Sequence, residues 1–363
     1  MDSITQFALG AGVGLAVLGR RLGPRRAALT GGVLGTLPDL DVFYPFDDPI
    51  DAFVWHRAAS HSLIVQAVAT PVIGEVLIRL FSALRSARGL TYAAVYLILA
   101  THALLDAFTV YGTRIFWPVM PEPVGIGSLF IIDPLYTLPL LVALIWALFL
   151  RAWTPRFRAV LTWCLALPTL YLGWSLVAQQ AVLARADAVL AESGVVPTRV
   201  MATPTPFNTL SWRVIAINGA DYFNIYVPVL GGADAVTVYR HARGPAGDGC
   251  LDGLDDAARL AAFSKGFYRT ELRDGALVLS DLRMGLTPNY VFRFIVAEHA
   301  GDQFRPVPPR RVPVERQIDG DLDWLFANLS GFAAVRPAEA AQQLAPAEIA
   351  GNAAPADAQS ITC

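Results

Sequence analysis

Long apolar stretches alternate with short polar connections over the first half of the chain. Apolar runs of about the length needed to cross a bilayer predict membrane-spanning helices. The predicted spans cover residues 4–19, 27–43, 62–81, 90–108, 129–150 and 159–183. Glycines dilute the second span and Pro38 predicts its end, so it is either a full span or a short, half-inserted helix packed against its neighbours. The pattern predicts an α-helical polytopic membrane domain of about six helices over residues 1–183.

Beyond residue 184 the pattern changes to short stretches rich in β-branched and aromatic residues, bounded by Gly, Asp and Pro. Such stretches predict strands of a small antiparallel sheet. They lie at residues 211–217, 223–227, 235–239 and 290–296. We therefore predict a small soluble β-rich (α+β) domain over residues 184–315. It is either a lid or substrate platform for the membrane domain or a stabilising or partner-binding appendage.

The end of the chain shows a third pattern. The proline-rich stretch from Pro306 to Pro313 predicts an extended connection. A short helix is predicted over residues 322–332, and the Ala/Pro-rich composition from about residue 336 onward is typical of a loosely ordered tail. Residues 316–363 thus form the third predicted region. His241 and His299 have no neighbours at ligand spacing and are predicted to be surface residues.

Composition supports membrane insertion. Hydrophobic residues make up 55% of the chain and charged residues only 16%, and the mean hydropathy is +0.47. These values are typical of an integral membrane protein and exclude an ordinary soluble globular chain. The net charge of −2 gives no sign of nucleic-acid binding. Cys164, Cys250 and Cys363 have no metal-ligand spacing and indicate no structural disulfide.

The arginines predict the orientation of the chain in the membrane. Three connections are basic, and they carry Arg20, Arg21, Arg25, Arg26, Arg79, Arg85, Arg88, Arg151, Arg156 and Arg158. The connections at 44–55 and 119–127 carry only acidic charges. The positive-inside rule then places the basic connections in the cytoplasm, and the amino terminus and the C-terminal domain outside the cytoplasmic (inner) membrane. A cleaved signal peptide is the alternative for the first span, but Asp2 stands where its basic region should be.

Histidines and aspartates cluster on the face that this topology places outside. His102 and Asp106 are four residues apart, so on a helix they share one face. A carboxylate inside a membrane helix costs about 2.5–3.5 kcal/mol on insertion scales, which pairing, a wet cavity or a bound ion normally offsets. Asp39 and Asp41 lie at the end of the second span, and Asp2 and Asp133 fall in the same layer. The alternative for each residue alone is an ordinary interfacial side chain.

His56 and His61 precede the third span and are five residues apart, which suits a turn on which both imidazoles converge on one ion. Imidazole and carboxylate together suit zinc, manganese or iron, and an open coordination position would make water a nucleophile near neutral pH. The alternative is a histidine pair bonded to backbone carbonyls. We predict a divalent metal site, with zinc as the first candidate.

An ordered series of motifs resembles a known family. It comprises Met1-Asp2-Ser3-Ile4-Thr5, Pro38-Asp39-Leu40-Asp41, His56-Arg57, Ser60-His61-Ser62, His102 to Asp106, Thr109, Tyr111, Gly112, Trp117-Pro118 and Ile131-Ile132-Asp133-Pro134-Leu135-Tyr136. The series resembles the YdjM-like membrane-bound metal-dependent hydrolases, and especially their YfhP-like branch. The resemblance covers about the first 140 residues.

The resemblance implies a divalent-metal hydrolase that is distantly similar to the zinc-dependent phospholipase C and single-strand nuclease group. It implies six metal ligands, which are Asp39, Asp41, His56, His61, His102 and Asp106. Arg57 would be an anion clamp, because guanidinium matches phosphate oxygens with two hydrogen bonds. Asp39 or Asp41 would act as general base if it is not a ligand. Many relatives carry histidine where this chain has Gln6, which implies a weakened or missing ion site here.

The expected function is hydrolysis of an ester or phosphoester by metal-activated water at the outer membrane face, with a lipid-like substrate. The alternatives are a non-catalytic, metal-stabilised membrane scaffold and an ion-coupled transporter. A transport path needs polar residues at mid-membrane. Only Glu75 lies deep in a predicted span, which favours the hydrolase.

Overall fold

The computed structural model describes residues 1–244, 251, 253–300, 303–314 and 319–344. The chain divides into two compact units. Unit 1 comprises Met1–Tyr44, His56–Val177 and Pro206–Thr209, and unit 2 comprises Pro45–Trp55, Ala178–Thr205 and Leu210–Cys363.

Unit 1 is helical. Its helices are α1 (Ser3–Leu22), α2 (Pro24–Thr36), α4 (Leu63–Leu80), α5 (Arg88–Ala107), α6 (Pro134–Phe149) and the first part of α7 (Pro155–Glu192), while α3 (Pro49–Trp55) lies in unit 2. Among the described residues, α4, α5 and α7 are long and apolar enough to cross a membrane, and α6 is a shorter apolar helix. Three of the predicted spans are thereby confirmed as candidates, but a six-span domain is not.

The second predicted span shows why the count of spans differs. Helix α2 has 13 residues, which at 1.5 Å per residue makes about 20 Å and cannot cross a hydrocarbon core of about 30 Å. The helix ends at Thr36, and a 3-10 helix, Pro38–Phe43, takes the place of the predicted continuation to residue 43. Proline at position 38 lacks the backbone N–H that the helix would need there.

Helices α1 and α2 pack backbone against backbone. Each carries two glycines four residues apart, Gly10 and Gly14 on α1 and Gly31 and Gly35 on α2. A Cβ atom at Gly10 would lie 2.4 Å from the Gly31 carbonyl oxygen, and one at Gly31 would lie 2.3 Å from the Gly10 carbonyl oxygen. Only glycine permits this approach, which is typical of helix pairs in membranes. The contact fixes the end of α2, where the 3-10 helix begins.

Substituting Gly31→Ala is therefore expected to destabilise unit 1 by about 1–3 kcal/mol, the usual cost of overpacking. Gly173→Ala on α7 is the matched control, because no atom lies within 4 Å of the added Cβ, and helix propensity favours alanine there by up to about 1 kcal/mol. Thermal unfolding in detergent compares the two variants with the wild type. Equal midpoints for Gly31→Ala and Gly173→Ala would contradict the tight helix crossing.

Unit 2 is built around antiparallel sheets. Its strands are β1 (Arg199–Pro204), β2 (Ser211–Asn218), β3 (Asp221–Pro228), β4 (Thr237–Ala242), β5 (Tyr268–Arg273), β6 (Ala276–Asp281), β7 (Gly285–Leu286), β8 (Asn289–Tyr290), β9 (Arg293–Ala300) and β10 (Gln303–Arg311). One sheet has the order β1-β2-β3-β4, a second has the order β10-β9-β6-β5, and β7 pairs with β8. Helices α8 (Asp255–Phe263), α9 (Asp321–Leu329) and α10 (Pro337–Ala340) accompany them. The predicted β-rich region is confirmed.

The predicted proline-rich connection is instead an edge strand. Strand β10 pairs with β9, and its register breaks between Pro306 and Arg310. Proline donates no ladder hydrogen bond and is therefore tolerated at a sheet edge or a bulge. The strand prediction at 235–239 was early by two residues, because Ala233–Ala235 form a 3-10 turn and β4 begins at Thr237.

Part of the predicted loose tail is anchored in a buried polar network. Glu339 accepts a hydrogen bond from the Tyr226 hydroxyl at 2.6 Å and lies 2.6 Å from His241 Nε2. Burial alone would raise the pKa of Glu339, but the hydrogen bonds to His241 and Tyr226 and the charges of His241 and Arg336 together outweigh it and lower this pKa. The prediction of His241 as a surface residue is wrong, because only 3% of it is exposed. The His299 side chain, Cys250, Cys363 and residues 345–363 lie outside the described part of the chain.

Candidate metal centre

Four of the predicted site residues form a compact group in unit 1. Asp39 comes from the 3-10 helix after α2, His61 ends the short 3-10 helix Ala59–His61, and His102 and Asp106 share one face of α5. One donor atom from each of the four lies within 4.8 Å of the others, and the group could hold a metal ion. His61, His102 and Asp106 are buried, whereas the side chain of Asp39 is 22% exposed.

Hydrogen bonds fix which nitrogen each histidine turns to the group. His102 Nδ1 lies 2.6 Å from the Gly35 carbonyl oxygen, which can only accept, so Nδ1 carries the proton and Nε2 keeps a lone pair. The Ser60 hydroxyl donates to Asp41 at 2.7 Å and lies 2.9 Å from His61 Nδ1. Ser60 must therefore accept from His61 Nδ1, and the Nε2 of neutral His61 also keeps a lone pair.

The two Nε2 atoms face each other at 3.1 Å. Two neutral imidazoles in these tautomers would bring two lone pairs together, which is repulsive unless a proton or a metal cation lies between them. Metal-ligating histidines commonly show this arrangement, with the second ring nitrogen held by a carbonyl, a carboxylate or a similar acceptor. The orientation of both rings is thus that of metal ligands.

Two carboxylate oxygens complete the set of four donor atoms. Asp39 Oδ1 lies 3.4 Å from His61 Nε2 and 3.5 Å from His102 Nε2. Asp106 Oδ2 lies 3.2 Å and 3.7 Å from the same two nitrogens. Tetrahedral coordination with bonds of about 2.0–2.2 Å requires donor separations of roughly 3.3–3.6 Å. The five separations lie between 3.1 Å and 3.7 Å, close to these values, so the four residues could hold a small divalent ion.

Asp106 is held from several directions. Its Oδ1 accepts from the Met1 amino group and, at 3.0 Å, from Gln6 Nε2. Its Oδ2, the oxygen nearest His61, is buried and has no hydrogen bond of good geometry within the described residues. Buried carboxylate oxygens are normally bonded, so this atom is one that an ion would satisfy.

Charge coupling within the group is strong. Burial tends to raise the pKa of Asp39, but hydrogen bonds to His102 and His61 outweigh it and hold this pKa well below its usual range. Burial tends to lower the pKa of His61, yet its hydrogen bonds to the Asp106 and Asp39 carboxylates raise it. The neighbouring carboxylates thus stabilise the cationic form of His61 relative to that of an ordinary histidine. A divalent cation would compete with that proton for the same lone pair.

Asp41 and His56 form a pair beside the group. His56 Nδ1 lies 2.8 Å from Asp41 Oδ1, and Asp41 Oδ2 lies 3.6 Å from His61 Nδ1. Burial would raise the pKa of Asp41, but the hydrogen bonds to His56 and Ser60 and the charges of His56 and His61 together outweigh it and lower this pKa. The two residues predicted as further ligands are therefore close to His61, but on the side of its Nδ1 atom.

Arg57 turns the chain between the two histidines. Its φ of 65° is unusual for a side chain other than glycine. Its backbone N–H donates to Asp41 at 3.0 Å, and its Nε lies 3.1 Å from Asp106 Oδ2. The guanidinium also lies 5.0 Å from the centre of the Tyr111 ring. Arg57 thus ties Asp41 and Asp106 together, and its role as an anion clamp stays a prediction.

Asp2 and Asp133, which were predicted in the same layer, lie outside the four-residue group, and two supporting residues were identified only in the structure. Asp2 caps α1, and Asp133 caps α6 and accepts from the Tyr171 hydroxyl at 2.9 Å. Sequence reasoning missed the support from Gly35 and Ser60. Gly35 gives no chemical signal because it acts through its carbonyl, whereas Ser60 could have been noticed from its place between two histidines.

The glutamate in the predicted third span is paired. Glu75 accepts from the Tyr92 hydroxyl and from the Arg88 guanidinium. Both partners belong to α5, the helix packed beside α4. A carboxylate already satisfied in this way needs no transported ion to explain it.

Comparison with known proteins gives one family. The family model described as YdjM inner membrane protein matches residues 1–182. No match is found among curated proteins or solved structures. All four residues of the candidate metal centre, together with Asp41, His56 and Arg57, fall inside the matched range.

Proposed function

Because the chain belongs to the YdjM inner membrane protein family, we propose that it is a membrane-bound metal-dependent hydrolase of the YfhP-like branch. Its substrate is an ester or phosphoester with lipid-like character. The observation that carries the proposal is the pair of inward-facing imidazole Nε2 atoms, 3.1 Å apart, beside two carboxylate oxygens. That donor set matches zinc best, with manganese or iron as alternatives.

Asp39, His61, His102 and Asp106 would hold the ion. A bound divalent ion would supply Lewis acidity, activating water for attack on the substrate and stabilising the charge that develops. Asp41 and His56 are kept as ligands of a second ion. Their position beside the four-residue group supports this role, but His56 Nδ1 and Asp41 Oδ1 lie 2.8 Å apart as a directly paired couple and would have to separate to bind an ion.

The general base would be a carboxylate that is partly exposed to solvent, and the anion would be bound by an arginine. Asp39 and Asp41 have side chains 22% and 15% exposed, so one of them would pass a proton between the site and solvent as general base if it is not a ligand. Arg57 holds Asp106 in place and would pair with a substrate anion by its remaining N–H groups. Gln6 stands where many relatives have histidine, and its amide holds Asp106.

The proposed location of the site is the outer face of the inner membrane, with the C-terminal domain also extracytoplasmic. This orientation is supported by the arginines in the connections at 20–26, 79–88 and 151–158. A non-catalytic scaffold is the second candidate. It is favoured by burial, because the side chains of His61, His102 and Asp106 are at most 1% exposed, as in closed structural sites.

Metal-dependent hydrolysis tests the proposal. Protein purified in detergent without chelators is assayed on bis(p-nitrophenyl) phosphate and p-nitrophenyl esters, then stripped with a chelator and reloaded with zinc or manganese. We expect hydrolysis that disappears on stripping and returns on reloading. Bound metal without hydrolysis of any substrate would favour the scaffold, and hydrolysis unchanged by stripping would contradict a metal-dependent reaction.

A further inference from the structure

A run of exposed apolar side chains follows the first residue of the metal centre. Leu40 is 53% exposed, Val42 65%, Phe43 80% and Tyr44 65%. We call these four residues the apolar rim. They belong to the 3-10 helix Pro38–Phe43 and the residue after it, outside every helix long enough to span a membrane. The same short segment therefore carries both the carboxylates of the site and an apolar surface.

The two kinds of side chain point in different directions. Asp39 Oδ1 lies 3.4 Å from His61 Nε2, and Asp41 Oδ2 lies 3.6 Å from His61 Nδ1. The side chains of Leu40 and Val42, which alternate with these aspartates, are exposed. The segment thus has a polar inner side and an apolar outer side. An amphiphilic molecule bound along this segment would contact the carboxylates with its polar part and the apolar side chains with its apolar part.

Access to the metal centre passes this segment. Of its four residues only Asp39 has an appreciably exposed side chain, at 22%, whereas the other three are exposed by at most 1%. The neighbouring pair is also partly open, with Asp41 at 15% and His56 at 23%. The candidate metal centre is therefore open to solvent on the side on which Asp39 lies, next to the apolar rim.

The rim resembles the lipid-facing surface of the same unit. On α6 the exposed apolar residues recur every three or four positions along one helix face, at Leu135, Leu138, Val142, Ile145 and Phe149, each between 51% and 78% exposed. In a membrane protein such a face is turned to lipid. The rim is as apolar and as exposed as that face, which indicates that acyl chains cover it too.

We propose that the hydrolase takes its substrate from the bilayer, as a glycerophospholipid whose acyl chains lie against the apolar rim while its phosphoester reaches Asp39. This inference rests on the proposed function. The rim supplies binding to a part of the substrate remote from the bond that breaks, so its loss lowers the rate on lipid without disturbing the ion.

The test uses full-length protein in vesicles of phosphatidylcholine and phosphatidylglycerol. The double variant Val42→Ser with Phe43→Ser is compared with Val142→Ser, which alters the lipid face of α6 away from the site. We expect the rim variant to lose about tenfold or more in phospholipid hydrolysis, with unchanged metal content and an unchanged rate on bis(p-nitrophenyl) phosphate. The Val142→Ser control should keep both rates. Equal loss on both substrates, or no loss on phospholipid, would overturn the inference.

A second measurement separates this inference from the proposed function. Phe43→Cys is labelled with bimane in a chain whose native cysteines are replaced by serine, with Ser82→Cys as the control on the exposed connection after α4. Quenching at position 43 by brominated phospholipid, but not by aqueous iodide, is expected whether or not hydrolysis is detected. Iodide quenching at position 43 as strong as at position 82 would overturn the rim as a lipid contact, even in an active hydrolase.

Discussion

His102→Ala is expected to abolish stoichiometric binding of the divalent ion, with a loss of affinity on the order of 100-fold or more, and with it all metal-dependent hydrolysis. The residue supplies one of the two nitrogens that face each other at 3.1 Å. The Gly35 carbonyl that orients its ring lies on the Nδ1 side, away from the facing nitrogens, and does not take its place. In the alanine variant only three of the four donor residues remain, namely Asp39, His61 and Asp106.

Elemental analysis of the purified protein measures this loss, with His56→Ala as the matched control. His56 is also a histidine near the site, but it contacts Asp41 and is not a member of the four-residue group. We expect His56→Ala to retain the ion held by that group, and at most to lose a second ion. Equal metal content in wild type and His102→Ala would contradict the assignment of the metal site to these four residues.

The sequence predicted the parts of the fold that depend on long, uniform patterns. Helices α4, α5 and α7 follow from apolar runs of 18 residues or more, and β2 and β3 follow from β-branched and aromatic stretches. The hydropathy and composition patterns gave wrong predictions where single prolines or hydrogen bonding at a sheet edge decided the local structure. Pro38 ends the apolar run of α2 early, and the proline-rich stretch still pairs as strand β10 because an edge strand needs fewer donors.

For the candidate site, spacing predicted some of the arrangement and backbone conformation the rest. His102 and Asp106 had to share a helix face, because they are four residues apart. The spacing of His56 and His61 could not show that the positive φ at Arg57 turns the chain between them, so that only His61 enters the four-residue group. Gly35 contributes a backbone carbonyl, which no residue pattern marks as site chemistry, whereas the resemblance had marked the position of Gln6 without showing that its amide donates to Asp106.

Asp106→Asn is expected to destabilise the metal-free protein by about 3–5 kcal/mol, the usual cost of removing one partner of a buried ion pair. The Asp106 carboxylate is fully buried, and its Oδ2 lies 3.1 Å from Arg57 Nε. The Met1 amino group also contacts the carboxylate. Asparagine keeps the shape but removes the charge, so both cations lose their buried counter-charge. Thermal unfolding in detergent with excess chelator, followed by tryptophan fluorescence, measures the effect without any contribution from bound metal.

Two comparisons distinguish lost charge pairing from lost metal. In chelator, His102→Ala should unfold closer to the wild type than Asp106→Asn does, because it removes a metal ligand without stranding a buried cation. Arg57→Met combined with Asp106→Asn should recover part of the stability, since the double variant no longer buries the unpaired guanidinium. If the two substitutions instead add without coupling, the Arg57–Asp106 ion pair does not stabilise the site.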